Sequence, residues 1–175
     1  MSLVAAALAS KVISSIYNLS NPTQVCQKIG QSIAEYLCDN TTVMYSWTGI
    51  QPSTPPLPDP VVVCYSTKLM GTFVCYPTKA VSAVQHGIQL GAQIQQGILQ
   101  LKAVPPAGWA IPPATFMCVT PLILTPTQAN NSFAHWVQWS QTIISTFMTY
   151  INPTPLPGTH GSFVGTPGAI MTSIF

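Results

Sequence analysis

The strongest periodic signal in the chain lies between residues 78 and 102. Val81, Val84, Ile88, Gly91, Ile94, Ile98 and Leu101 recur every three or four positions and make one apolar stripe of a helix. The polar positions are unusual. They are Gln85, Gln89, Gln93, Gln96 and Gln100, with no acid among them and Lys only near the two ends. Ala83, Gly87 and Gly91 place small residues four apart. A glycine inside a helix costs about 1 kcal/mol relative to alanine, but a small residue lets another backbone come close. The pattern predicts a helix packed on several sides, partly by other chains. An ordinary buried helix with tolerated glycines is the plain alternative.

Three more helices follow from the same reading. Val4, Leu8, Val12, Ile16 and Leu19 predict one over about 2–18, with Ser2 as a candidate cap and Ala5 to Ala9 as strong helix formers. Asn21-Pro22-Thr23-Gln24 reads as a cap followed by proline at the first helical position, and opens a helix over about 22–38. Its stripe is Val25/Cys26, Ile29, Ile33 and Tyr36/Leu37. Glu35 and Asp39 sit unfavourably near its C-terminus, so a partner is expected, Lys28 or Lys11. Thr125-Pro126-Thr127-Gln128 repeats that start grammar and predicts a helix over about 126–151, with Thr125 and Gln128 as a capping box.

Between the helices the period changes. The β-branched and aromatic run 41–49 reads as a strand. Residues 51–60 are too rich in proline for a helix or a central strand. Val63-Cys64-Tyr65 is echoed by Val74-Cys75-Tyr76, which predicts a hairpin of 61–67 with 72–76 and Gly71 in its turn. Cys64 and Cys75 would then be close enough to consider a bridge. The apolar matter between Pro105 and Pro126 lacks helical continuity, apart from a possible strand at 115–120. The expected fold class is therefore α+β, mainly α: a four-helix core, a small antiparallel sheet and extended proline-rich arms. One domain should cover 1–152, with the hairpin insertion at about 41–77. The segment 153–175 holds four glycines and four prolines, and reads as an irregular extended arm. Its apolar end, including Ile170, Ile174 and Phe175, should dock on a neighbour or on its own domain.

Composition changes the picture most through what is missing. Hydrophobic residues are 47% of the chain and charged residues only 5%, where about 25% is usual for a soluble domain. There are five Lys and no Arg, and the formal net charge is +2. Such a surface has little colloidal protection when bare. Nucleic-acid binding is disfavoured, because no basic stripe exists. A membrane span is disfavoured too, since Gln, Ser, Thr, Pro and Asn interrupt every apolar run. The start of the chain has a short apolar run but no basic region before it, and reads as a structural helix.

Candidate chemistry is sparse. The five cysteines form no CxxC pair and read as buried thiols. His86, His135 and His160 are not tied to any cysteine by a local signature. Glu35, Asp39 and Asp59 are the only carboxylates and make no convincing acid–base pair. No phosphate-loop or dinucleotide motif is present. No catalytic, cofactor or metal residue is assigned, and no enzymatic activity is expected.

Three settings fit. In the first the chain is a structural subunit of a large assembly, a homo-oligomer or one bound to other structural proteins of the same particle. Covered surfaces lose charge, and the candidate subunit contacts are Gly87, Gly91, Gln85, Gln89, Gln93, Gln96, Ile170, Ile174 and Phe175. In its Thr/Pro/Gln-rich, Arg-free composition and glycine-bearing tail, the chain resembles virion structural proteins of tailed bacteriophages. The resemblance is one of composition. It implies a capsid-associated, neck or baseplate role and assembly in the host cytoplasm. The second setting is a secreted or surface binding module with a Cys64–Cys75 bridge. The third is a lipid-associated small protein.

Overall fold

The computed structural model describes residues 3–49, 61–104, 109–110, 114–116, 120–150, 156–160 and 163–174. It has four helices: α1 (Ala5–Ile16), α2 (Pro22–Asn40), α3 (Ala83–Ile98) and α4 (Ser132–Phe147). The strands are β1 (Thr42–Gly49), β2 (Val61–Met70), β3 (Lys102–Ala103), β4 (Trp109–Ala110), β5 (Ala114–Thr115), β6 (Leu156–His160) and β7 (Phe163–Ile174). Helices outweigh strands, so the class is α+β, mainly α. The sheet is wider than expected. Its order is β4-β6-β7-β1-β2-β3-β5, and every neighbouring pair is antiparallel.

Helix α1 packs against both α2 and α4. Its stripe buries Leu8, Ala9 and Val12 completely. Its first turn has no side-chain cap. Tyr36 of α2 substitutes: its hydroxyl accepts from the Val4 N–H at 2.7 Å and donates to the Val4 carbonyl at 3.0 Å. Helix α2 begins as its sequence says, with the Asn21 side chain accepting from the N–H groups of Thr23 (2.9 Å) and Gln24 (3.4 Å). The partner of its late acids is Lys11, 3.1 Å from Glu35 and 3.6 Å from Asp39. These groups are largely exposed, so each pair contributes about 0–1 kcal/mol.

Helices α3 and α4 both start later than the sequence implies, for the same reason. Pro77-Thr78 and Pro126-Thr127 lie in irregular segments ahead of the helices and are not their first residues. The caps are Ser82, accepting from the Gln85 N–H, and Asn131, accepting from the Ala134 N–H. The Thr125/Gln128 capping box is not formed. Each early threonine instead bonds a histidine one turn inside its helix: Thr78 with His86 at 2.7 Å and Thr127 with His135 at 2.5 Å, both eight residues apart.

The buried face of α3 is also rotated from the expected stripe. Gly87, Leu90, Gly91, Ile94, Gly97 and Ile98 are inside, while Val81 (93%), Val84 (55%) and Ile88 (46%) are exposed. The glycines turn the helix, because extended backbone presses directly on them. A Cβ at Gly87 would lie 1.7 Å from the Leu124 carbonyl oxygen, and one at Gly91 would lie 2.3 Å from that of Leu122. These glycines therefore face the segment 122–124 and not α4, which packs on α1.

The predicted hairpin of 61–67 with 72–76 is not formed. Strand β2 pairs with β1 from Val61 to Lys68 and with β3 at Leu69 and Met70. The chain passes Gly71, whose φ of 133° is unfavourable for other residues. It then leaves the sheet, because the helices offer a better seat. A Cβ at Gly30 would lie 2.7 Å from the Cys75 nitrogen, and one at Gly97 would meet the Phe73 ring at 2.2 Å.

The segment 153–175 is not irregular over most of its length. β7 pairs with β1, Val43 opposite Ile174 and Ser46 opposite Ile170, and β6 returns on β7. The extended arm thus docks on its own chain. Glycine and proline permit an extended backbone, and proline only fails to donate to the ladder. Pro157 falls where the β6–β7 register shifts, between Leu156 and Gly158, and Pro167 falls in the matching interval of β7 between Gly165 and Ala169. The prolines of 51–60 and Phe175 lie outside the described residues. So does Ser2.

The glycine seats predict a specific stability effect. Gly87→Ala should destabilise the fold by about 1–3 kcal/mol through overpacking, despite alanine's gain in helix propensity. Urea unfolding of the two proteins checks this, and an unchanged midpoint would mean that residues 122–124 do not press on α3.

Candidate functional site

The chemistry-bearing side chains collect around α3. Its glutamines divide into those that serve the chain itself and those that do not. Gln93 grips the peptide group of Tyr76 at two points: its Oε1 accepts from the Tyr76 N–H at 2.6 Å, and its Nε2 donates to the Tyr76 carbonyl at 3.1 Å. Gln95 accepts from the Leu122 N–H at 2.9 Å. Gln85 accepts from the Val81 N–H at 3.0 Å, just before the cap. A primary amide has one acceptor oxygen and two donors, so it can pair with a peptide group as a strand would. Glutamate could only accept and lysine could only donate. This is a physical reason for the uncharged face.

Of the expected subunit contacts, Gly87, Gly91, Gln85 and Gln93 are thus engaged within the chain. Gln89 is half-buried and Gln96 exposed. Ile170 and Ile174 lie in β7 opposite Ser46 and Val43 of the same chain. Sequence reasoning missed Gln95, since it fell on neither the stripe nor the polar row. It also missed Thr78 and Thr127 as histidine partners. The repeated Pro-Thr-x-Ala followed by His at the same distance was the available signal.

At the junction of α3 and α4, His86, His135, Trp136 and Trp139 surround a cavity of about 390 Å³ closed by Ile16, Val25 and Ile29. The His135 ring centroid is 4.2 Å from that of Trp139, and Trp136 meets Trp139 edge-on at 5.4 Å. The Trp139 N–H donates to the Thr125 carbonyl at 2.8 Å, so α4 also holds the segment that leads into it. Burial, and secondarily the nearby His86, push the His135 pKa below its ordinary value. With their Nδ1 atoms bonded to threonine, both imidazoles act here as packing and capping groups.

The thiols are poor nucleophiles. Burial pushes Cys75 up to about 12, with Cys26 adding to the rise. It pushes Cys38 up to about 11, helped by the Asp39 charge. Cys26 is raised by burial as well. Cys26, Cys38 and Cys75 are free, so the Cys64–Cys75 bridge of the binding-module alternative is not formed. Cys118 lies outside the described residues. Among the described residues no group of three His, Cys, Asp or Glu could hold a metal ion, and no helix is long and apolar enough to cross a membrane.

No protein-family model, no characterised protein and no solved structure matches the chain.

The depressed His135 pKa carries a pH prediction. The neutral form is favoured in the folded state, so this contribution to stability is complete above the unfolded value of 6.5. It is lost as the pH falls from there through the folded value. The denaturation midpoint should therefore decline below about pH 6.5 in the wild type. The decline should be shallower in His135→Gln.

Proposed function

We propose that this chain is a non-enzymatic structural subunit that works by associating with other protein subunits, through the outward flank of α3. The observation that supports this is the exposed apolar row Val81, Val84 and Ile88, at 93%, 55% and 46% exposure. Val84 and Ile88 lie on a helix with no Asp, Glu, Lys or Arg, and Val81 lies just before its Ser82 cap. Tyr17 of α1 and Phe133 of α4 add exposed aromatic surface. They flank a cleft of about 430 Å³ between those helices. Single exposed apolar residues are ordinary, but a contiguous uncharged row marks an interaction site.

The chemistry around it is consistent with an assembly role. Burial raises the pKa of the Cys26, Cys38 and Cys75 thiols, two of the three acids pair with Lys11, and His86 and His135 are tied to threonines. The composition that resembles tailed-bacteriophage virion proteins gives this reading its setting, a component of the particle's capsid, neck or baseplate.

The native mass of the purified chain across a range of concentrations tests it. The wild type should form oligomers of defined size, and Ile88→Lys should raise the concentration needed for association at least tenfold without changing the circular dichroism spectrum. A wild type that stays monomeric at high concentration with no partner from its own particle would remove the reading.

A further inference from the structure

Round α3 from Val84 and Ile88 runs a groove of about 590 Å³ between the helix and the segment 72–76. Phe73, Val74 and Tyr76 form one wall, and Gln93, Gln96 and Gln100 the other. Its size is that of a ligand cleft. No charged residue lines it.

We propose that this groove binds an extended, uncharged peptide segment supplied by a partner protein, whose backbone is read by the side-chain amides of Gln96 and Gln100. The chemistry is already displayed twice on the same helix. Gln93 holds the Tyr76 peptide group by both its N–H and its carbonyl, and Gln95 holds the Leu122 N–H. In both cases α3 takes an extended strand of backbone and supplies the hydrogen bonds that a sheet would otherwise supply. Gln96, in the last turn of α3, and Gln100, just past its Leu99 cap, carry the same side chain. They are exposed and line open space.

Position supports the assignment. Past that cap, the Gln100 N–H donates to the Gly97 carbonyl at 3.0 Å. Both side chains line the same groove, and an extended strand turns the same edge outward every second residue, so two amides can meet peptide groups of one strand. The exposed ring of Tyr76 and the side chain of Val74 offer apolar contact to the strand's side chains. A charged strand would find no counter-charge in the groove, so an uncharged one is selected.

The proposal goes beyond the assembly reading and does not depend on it. The probe is an end-capped, fluorescently labelled peptide, Thr-Pro-Leu-Ile-Leu-Thr-Pro, which copies residues 120–126, and binding to the full chain is read by anisotropy. The wild type should bind it saturably. Gln96→Ala with Gln100→Ala should weaken binding about tenfold, as expected for two lost hydrogen bonds. A peptide N-methylated at both leucines should lose a similar factor. Replacing its isoleucine by aspartate should also weaken it. The thermal midpoint of the double variant, both positions being on the surface, shows that it folds. Ile88→Lys, which disables the proposed association flank, should leave peptide binding unchanged. No saturable binding by the wild type, or binding indifferent to both the glutamine changes and N-methylation, would overturn the groove assignment and leave the assembly reading standing.

Discussion

Two stretches of extended backbone lie directly on helices at positions that carry no side chain, and much of the helical layer is arranged around that contact. A buried peptide group must find a partner or cost free energy comparable to a lost hydrogen bond. In a sheet the neighbouring strand provides it. Residues 73–76 and 122–124 have left the sheet and lie between helices, where no strand is available. Glycines at 30, 87 and 91 let these segments approach the helices, and Gln93 and Gln95 complete their hydrogen bonding. Without the glycines the amides would be out of reach, and without the amides the part-buried Leu122 N–H and the Tyr76 peptide group would lose these partners.

The same arrangement is built twice. An extended segment runs over a helix, passes through Pro-Thr, turns at a polar cap and becomes the next helix. Phe73 and Cys75 point into the core before α3, as Leu122 and Leu124 do before α4. The Thr78–His86 and Thr127–His135 bonds span the same eight residues, and both histidines pack near Trp139. Helix α1 then bridges α4 and α2, with the Tyr36 hydroxyl clamping its first residue and Ser32 bonding Ser15 at 2.8 Å.

Four helices and the β1 and β2 strands were legible in the sequence, because apolar period and cap residues are local signals. Asn21-Pro22 gave the start of α2, and the acids at 35 and 39 pointed to a lysine partner, Lys28 or Lys11, of which Lys11 is the one found. Other features were set by distant contacts. The exposure of Val84 and Ile88 follows from Leu122 and Leu124 occupying the other side of α3, which no local pattern contains. The echo of Val63-Cys64-Tyr65 in Val74-Cys75-Tyr76 suggested pairing, but Gly30, more than forty residues upstream of Cys75, decides where that backbone goes. The strands β6 and β7 were hidden by prolines that fall at register shifts, and the position of a shift belongs to the pairing of two strands and not to either alone. The glutamine row was visible, yet its role within the chain was not, since an amide that reads a peptide leaves no spacing rule with the segment it reads.

The near absence of charge follows from the same physics. A lysine or glutamate at position 93 could satisfy only one half of the Tyr76 peptide group. Glutamine satisfies both halves and remains neutral at every pH. A helix that handles backbone this way has no need of ions on its inner flanks, and none are found there. In α3, as in α4, the uncharged character continues onto the outer surface, where solubility alone would favour Lys and Glu. Val84, Ile88, Gln96 and Gln100 are exposed in the isolated chain, and they have the composition of surfaces that α3 keeps covered elsewhere. An outer face built like an inner one is the physical basis of the proposal that another polypeptide covers it.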